Sequence, residues 1–444
     1  MTLSLGSRLK YFNMNKILLI GQCSLHLGRM EFGNIGNYYI IEPFIRELRR
    51  VFPNSSIKTT FQMSDSFVAR EDITVLPIEL YYDFDSNQNM DLAKEEYEIA
   101  KIYNSTNKLP NQTPYIKEVF NSDLVIDFSG DIWGDNADMI GQDRFLTGLY
   151  KNRVAQLLGI KTVMLAGSPG PFANQKSVDF AKTVYKNMNL VTTREPLSLE
   201  LLEKNWGFDV SNTRALACPA FLFEASVNFS RPNYFSSSKP VIGFIICGWN
   251  FPTGPYNKKN RDDSEFIELA EYVEYLSENF DAQVCLISHS NGFDPNDKNF
   301  TLTHGADYEL TAQLYDIIMN RGRANNILLY DEILSAWDTK ALISHLDMLV
   351  SGRIHGAVAG LSQSIPTVML NYKHGPAAHK IHGFAKVCRC EQYVAEVDNP
   401  DDTKLILSQC FNKRDSYKHH LNKIMPEVKM LAKDNFNLLK QLNK

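Results

Sequence analysis

The strongest constraint in this chain is a repeated alternation. Short, largely apolar runs are separated by segments whose apolar residues recur at helical spacing. Such runs, bounded by turn residues, read as strands of parallel sheets buried on both faces by the helices that connect them. The pattern predicts strands at Lys16–Ile20, 123–128, 161–165 and Leu190–Thr193. After a break it predicts strands at 241–247, 283–288, 326–330, Met348–Ser351 and Thr367–Asn371. A helix from about 38 to 51 follows the first strand, and a helix over 263–280 carries Phe266, Ala270, Val273, Leu276 and Phe280 on one face. The break at 228–240 is rich in Ser, Asn and Pro, as linkers are. Two rounds of alternation mean two doubly wound α/β domains, because a single core stops growing near ~250–300 residues and this chain has 444.

The expected organisation is an N-terminal Rossmann-like domain over 14–225, a linker over 226–240, a C-terminal Rossmann-like domain over 241–395 and charged helices over 396–444 that pack back on the first lobe. Residues 1–13 are patternless, so the fold is expected to begin at Met14. Residues 82–114 are polar, with a helix near 90–103; they read as a surface insertion, with a substrate lid as the competing reading.

Composition excludes several classes. The 46 Lys+Arg against 51 Asp+Glu leave a net charge of −5, unlike a dedicated nucleic-acid binder. No run approaches the ~18–20 apolar residues of a membrane span. The seven cysteines are odd in number and several lie inside strand-like runs, the usage of reduced thiols in a cytoplasmic protein.

In parallel sheets ligands bind beyond the carboxyl ends of strands, and three such places carry chemistry. The first is Ser351-Gly352-Arg353-Ile354-His355-Gly356, where a strand ends and a helix begins. Arg353 offers a planar fork for an anion, the helix N-terminus favours negative charge, and His355 can deliver a proton near neutral pH. The competing reading makes His355 a helix cap and Arg353 half of an interlobe ion pair. The second place is Arg194, with Ser198 one turn further on; Arg194 could equally pair with Glu195 or Glu200. The third is Ser129-Gly130-Asp131-Ile132-Trp133-Gly134-Asp135, whose carboxylates and Trp suit a sugar, joined by the loop from Gly33 to Asn37. Turn chemistry explains the same residue types.

Other motifs are weak. Asp83-Phe84-Asp85 has the spacing of some metal–nucleotide sites but lies in the polar segment. His374, His379, His382, Cys388 and Cys390 match no standard zinc spacing. There is no Walker loop, GxGxxG or GxSxG.

Taken in order, the motifs resemble those of polysaccharide pyruvyl transferases. Arg353-Ile354-His355-Gly356, followed by Gly360, Pro366 and Tyr372, is similar to that family's C-terminal signature. Asn34-Ile35-Gly36-Asn37, Ser129-Gly130-Asp131, Gly167 to Phe172, Arg194 with Ser198, Pro219-Ala220-Phe221, His289 and Asp307 fall in the family's order over residues 16–385. Departures are Asn37 for an Asp, Ser-Gly-Asp for a glycine triplet, and Cys218 where an Asp is common.

The resemblance implies a glycosyltransferase-B-like pair of Rossmann domains with the active site in the interlobe cleft. It implies transfer of pyruvate from phosphoenolpyruvate to a sugar diol of a cell-surface glycan or its lipid-linked precursor, with release of phosphate. The implied catalytic residues are His355 and Arg353. The donor set is Arg194, Ser198, Arg353, His289 and Tyr372, and the acceptor set is Asn34, Asn37, Asp131, Trp133 and Asp135. No metal and no cofactor beyond phosphoenolpyruvate as co-substrate is needed. A lipid-linked acceptor would bring peripheral contact with the inner face of the membrane. The competing function is a nucleotide-sugar-dependent glycosyltransferase of the same architecture, and a non-catalytic glycan-binding protein is a third.

Overall fold

The computed structural model of the protein describes residues 14–21, 33–130, 133–135, 141–247, 250–251, 254–255, 261–294, 301–322, 326–372 and 379–443. Two all-parallel sheets carry the fold. The first has seven strands in the spatial order Thr74–Val75, Ser56–Thr59, Lys16–Ile20, Leu124–Asp127, Lys161–Gly167, Leu190–Thr193 and Thr213–Ala215. The second has six, in the order Ile327–Leu329, Gln283–Leu286, Val241–Ile245, Met348–Ser351, Thr367–Asn371 and Val394–Glu396. In chain order the second sheet runs 3-2-1-4-5-6, the doubly wound arrangement whose ligands sit where the order reverses. In the first sheet the reversal falls between Lys16–Ile20 and Leu124–Asp127. In the second it falls between Val241–Ile245 and Met348–Ser351. Their central strands are buried on both faces, which is why they read as apolar runs.

The helix Ile35–Val51 belongs to both lobes. Asn34 caps it, its side chain accepting from the Gly36 amide at 3.0 Å, so the helix starts three residues before the apolar periodicity indicates. Phe44 packs against Phe128 and Phe436, while Tyr38 meets Trp337 and Tyr39 meets His289. Just before it, Gly33–Asn34 pairs antiparallel with Ser290–Phe293, in the register Ser290 with Asn34 and Asn291 with Gly33. Backbone hydrogen bonds therefore bridge the two lobes at the mouth of the cleft.

The segment read as an insertion is a packed part of the first lobe. Its helix Asn89–Thr106 lies on Gly141–Leu157, and Ile99 and Ala100 share a core with Ile116, Val154 and Leu158. Lys151 Nζ donates to Glu96 Oε2 at 2.7 Å, and the Thr113 hydroxyl donates to Glu96 Oε1 at 2.7 Å. Removing one partner of so buried a pair costs about 3–5 kcal/mol.

The C-terminal helix Arg414–Asn437 straps the lobes together. Near its start Tyr417 stacks on Tyr393 at 4.1 Å and donates to the Thr367 carbonyl. Near its end Asn435 donates to the Ala217 carbonyl at 2.8 Å and accepts from the Thr192 hydroxyl at 2.6 Å. Among the described residues no helix is long and apolar enough to cross a membrane. The six described cysteines are buried thiols, none of them in a disulfide.

Candidate active site in the interlobe cleft

The turn after Met348–Ser351 places Arg353 and His355 at the reversal point of the second sheet. Arg353 ends the turn as the residue before the helix Ile354–Ser362. Gly352 is required there, because a Cβ would fall 2.4 Å from the Tyr372 hydroxyl, and buried Tyr372 backs the turn from the adjacent strand. Arg353 makes a two-pronged ion pair with Asp307: Nε donates to Oδ2 and Nη2 to Oδ1, both at 2.6 Å, with both side chains buried. Asp307 opens the helix Ala306–Asn320 and its amide donates to the Ser290 hydroxyl at 2.8 Å. The pair lies within the second lobe rather than across the cleft. That edge of the Arg353 fork holds Asp307, and Arg353 enters the site as a fixed, partly balanced cation.

His289 follows the strand Gln283–Leu286 and is fully buried. Neither ring nitrogen has a hydrogen-bond partner among the described residues. Burial, with the positive charge of Arg353 and His355 behind it, holds His289 well below the ordinary imidazole range. It is neutral at physiological pH, with one donor and one acceptor to offer.

His355 faces the first lobe. Its Nε2 lies 3.8 Å from Cys218 Sγ, and its ring meets Phe384 edge-on at 6.1 Å. Its Nδ1 side abuts Gly36, where an added Cβ would fall 2.5 Å from Nδ1. Arg194 reaches the same Phe384 ring, its guanidinium carbon 5.5 Å from the centroid, and its Nε donates to the Ser168 hydroxyl at 2.8 Å. Arg194 of the first lobe and His355 of the second thus meet at Phe384.

Ser198 is engaged by the cap of its own helix. Its amide and hydroxyl both donate to Glu195, which caps the helix Pro196–Trp206, and its Oγ lies 3.3 Å from His379 Nε2. Burial raises the Glu195 carboxyl pKa against these contacts.

The acceptor set fares differently. Trp133 is 1% exposed, in an aromatic cluster with Phe145, Phe172, Tyr185 and Phe208, so its ring cannot stack on a sugar. Asp135 accepts from the Ala173 and Asn174 amides at 2.7 and 3.0 Å, which makes it a loop clamp. Asn34 is the cap described above, and Asn37 lies partly exposed in the first turn of that helix. Asp131 lies outside the described residues, as does His374.

The site also contains residues that no motif had marked as working parts. Gly36 and Phe384 shape the His355 pocket, Ser168 holds Arg194, and Cys218 is the thiol on Nε2. Gly36 and Ser168 lie inside quoted motifs and Cys218 at a noted departure, but the sequence carries no signal of what their side chains or backbone touch. No cluster of three or more potential metal ligands occurs among the described residues.

The comparison that decides the family spans most of this arrangement. A model of the polysaccharide pyruvyl transferase family matches residues 34–374, from the cap of the interlobe helix to just beyond Tyr372. The chain belongs to the polysaccharide pyruvyl transferase family. It is therefore a transferase of polysaccharide modification. A relative, the amylovoran biosynthesis protein AmsJ of Erwinia amylovora, is 22% identical over 380 residues, covering 81% of this chain and 84% of AmsJ. Among solved structures, a glycosyltransferase from Rickettsia africae superposes with a TM-score of 0.57 at 11% identity, covering 98% of this chain and all of that one. UDP-GlcNAc 2-epimerase from Neisseria meningitidis gives 0.53 at 10% identity, covering 96% of this chain and 100% of that one. These likenesses establish the glycosyltransferase-B-like fold for this pyruvyl transferase family member.

Proposed function

We propose that the protein transfers pyruvate from phosphoenolpyruvate to two hydroxyls of a sugar in a glycan or its lipid-linked precursor, forming a ketal and releasing phosphate. The observation that carries this reading is the convergence of buried His289, whose ring has no hydrogen-bond partner among the described residues, Asp307-anchored Arg353, and His355 at the carboxyl end of the second sheet. A buried polar group without a partner costs about 1–3 kcal/mol, which a ligand that pairs with it recovers. Phosphoenolpyruvate carries a carboxylate and a phosphate, so a pocket with Arg353, Arg194 and a donor from His289 suits it. His355, as the imidazolium, gives its proton to the methylene carbon, which becomes a methyl group. The adjacent carbon takes on oxocarbenium character, and one sugar hydroxyl adds to it while its proton passes to the imidazole. The carbon–oxygen bond to phosphate then breaks, the second hydroxyl closes the ketal, and its proton leaves with the phosphate. Arg353 and the start of the helix Ile354–Ser362 stabilise the charge on the departing phosphate.

The AmsJ likeness supports a polysaccharide precursor as acceptor, and a lipid-linked one would place the enzyme at the inner face of the membrane. The test is phosphate release from phosphoenolpyruvate against a panel of glycans, using wild type and His355→Ala. A fall of about 10²–10⁴-fold in the variant is expected for loss of a general acid. Equal turnover by both folded proteins overturns the acid assignment. Transfer of a sugar from a nucleotide sugar, with no phosphate released from phosphoenolpyruvate, would establish the glycosyltransferase reading instead.

A further inference from the structure

The first-lobe contact to His355 Nε2 is a thiol, and its surroundings make that contact specific. Cys218 is fully buried and stands immediately before the short turn of helix Pro219–Leu222. The preceding Ala217 carbonyl is held at 2.8 Å by Asn435 of the interlobe strap, so the backbone carrying the thiol is anchored. The 3.8 Å between Sγ and Nε2 is within reach of a sulfur hydrogen bond. Gly36 closes the opposite edge of the ring and Phe384 meets it edge-on. The imidazole projects from the second lobe, yet Cys218 and Gly36, which flank it, come from the first.

Charged and titratable groups near this ring among the described residues include Arg353, balanced by Asp307, and neutral His289 from its own lobe, and Cys218 and, across the Phe384 ring, Arg194 from the first. The helices that begin at Ile35 and Ile354 turn their N-termini, the positive ends of their dipoles, toward this side. A thiol is a weak, neutral hydrogen-bonding group, whereas a carboxylate in its place would favour the imidazolium and hold its proton more firmly.

We propose that Cys218 is the positioning residue for His355: its thiol orients the imidazole through Nε2 across the 3.8 Å contact between the lobes. This rests on the pyruvyl-transfer reading, but the contact can be measured without substrate. The experiment is a histidine NMR titration of the full chain, with the His355 signal assigned by its loss in His355→Gln, alongside kcat–pH profiles. Both are run for Cys218→Ala, Cys218→Ser and Cys218→Asp. Cys218→Ala is expected to lower kcat about three- to tenfold, the loss of one modest hydrogen bond, with KM unchanged. Cys218→Ser recovers most of that loss. Cys218→Asp moves the His355 titration, and the alkaline limb of kcat with it, upward by about one to three pH units.

A wild-type kcat in Cys218→Ala, or a His355 titration indifferent to Cys218→Asp, overturns the proposal and leaves Cys218 as packing. If Cys218→Asp fails to fold, the Ala and Ser pair decides: equal kcat in the two refutes positioning. If no protein turns over phosphoenolpyruvate, the functional reading fails. The shift of the His355 titration then still tells whether thiol and imidazole are paired.

Discussion

Substituting Gly36 by Ala tests how tightly the two lobes hold the imidazole. The added Cβ would lie 2.5, 2.6 and 2.7 Å from Nδ1, Cβ and Cγ of His355. Ordinary contact begins near 3.4 Å, so the ring and the helix Ile35–Val51 must separate by about 1 Å. The backbone has no intrinsic objection, since Ala is favoured over Gly in a helix by up to ~1 kcal/mol. The cost falls on the reaction: a displacement of ~1 Å at a reacting group lowers the rate about 10²-fold, or ~2.7 kcal/mol of barrier. The assay is kcat for phosphate release, with thermal melts to show that the fold persists. In a His355→Ala background the same substitution should have no further effect, because the group it displaces is gone. Activity in Gly36→Ala within about threefold of wild type, or an equal loss in both backgrounds, refutes the reasoning.

Two further outcomes follow from the buried charges. Asp307→Ala leaves Arg353 buried without its partner and should cost about 3–5 kcal/mol in urea unfolding. The double variant with Arg353→Met should cost less than the two single losses added together, and strict additivity would show that the pair is not coupled. Lys340, fully buried with its ammonium donating to the Phe223 carbonyl, has its pKa pushed down to about 7 by burial. Between about pH 7 and its ordinary 10.5, the unfolded chain binds the proton and the folded one does not. This group therefore adds stability as pH rises through that window, and below it carries its full burial penalty. Lys340→Met should flatten the rise in urea midpoint over that range; an unchanged slope contradicts the assignment.

The doubly wound architecture was legible because buried parallel strands advertise themselves as apolar runs, and Met348–Ser351 and Thr367–Asn371 fall where those runs do. Strands such as Ser56–Thr59 and Gly33–Asn34 were not, since two to four residues of mixed polarity carry no period. The polar face of Asn89–Thr106 made a packed helix look like an insertion, because its buried polar residue, Glu96, is satisfied by Lys151 far along the chain. At the site, Arg353, His355 and Arg194 could be marked because strand ends in parallel sheets are privileged positions. Trp133 and Asp135 misled because an aromatic and a carboxylate in a glycine-rich loop serve packing and loop closure as readily as sugar binding. What a side chain after a strand touches is decided by the other lobe. The contacts of Cys218 and Gly36 with His355 therefore emerge only from the assembled cleft.

The central claim is that His355 delivers a proton to the methylene carbon of phosphoenolpyruvate. Turnover in deuterium oxide tests it most directly, with the product glycan examined by NMR and mass spectrometry. The account predicts a pyruvyl ketal whose methyl group carries at least one solvent deuterium, with its formation suppressed in His355→Ala. A ketal whose methyl group holds no deuterium, or a glycan that gains a sugar and no pyruvyl group, would contradict it.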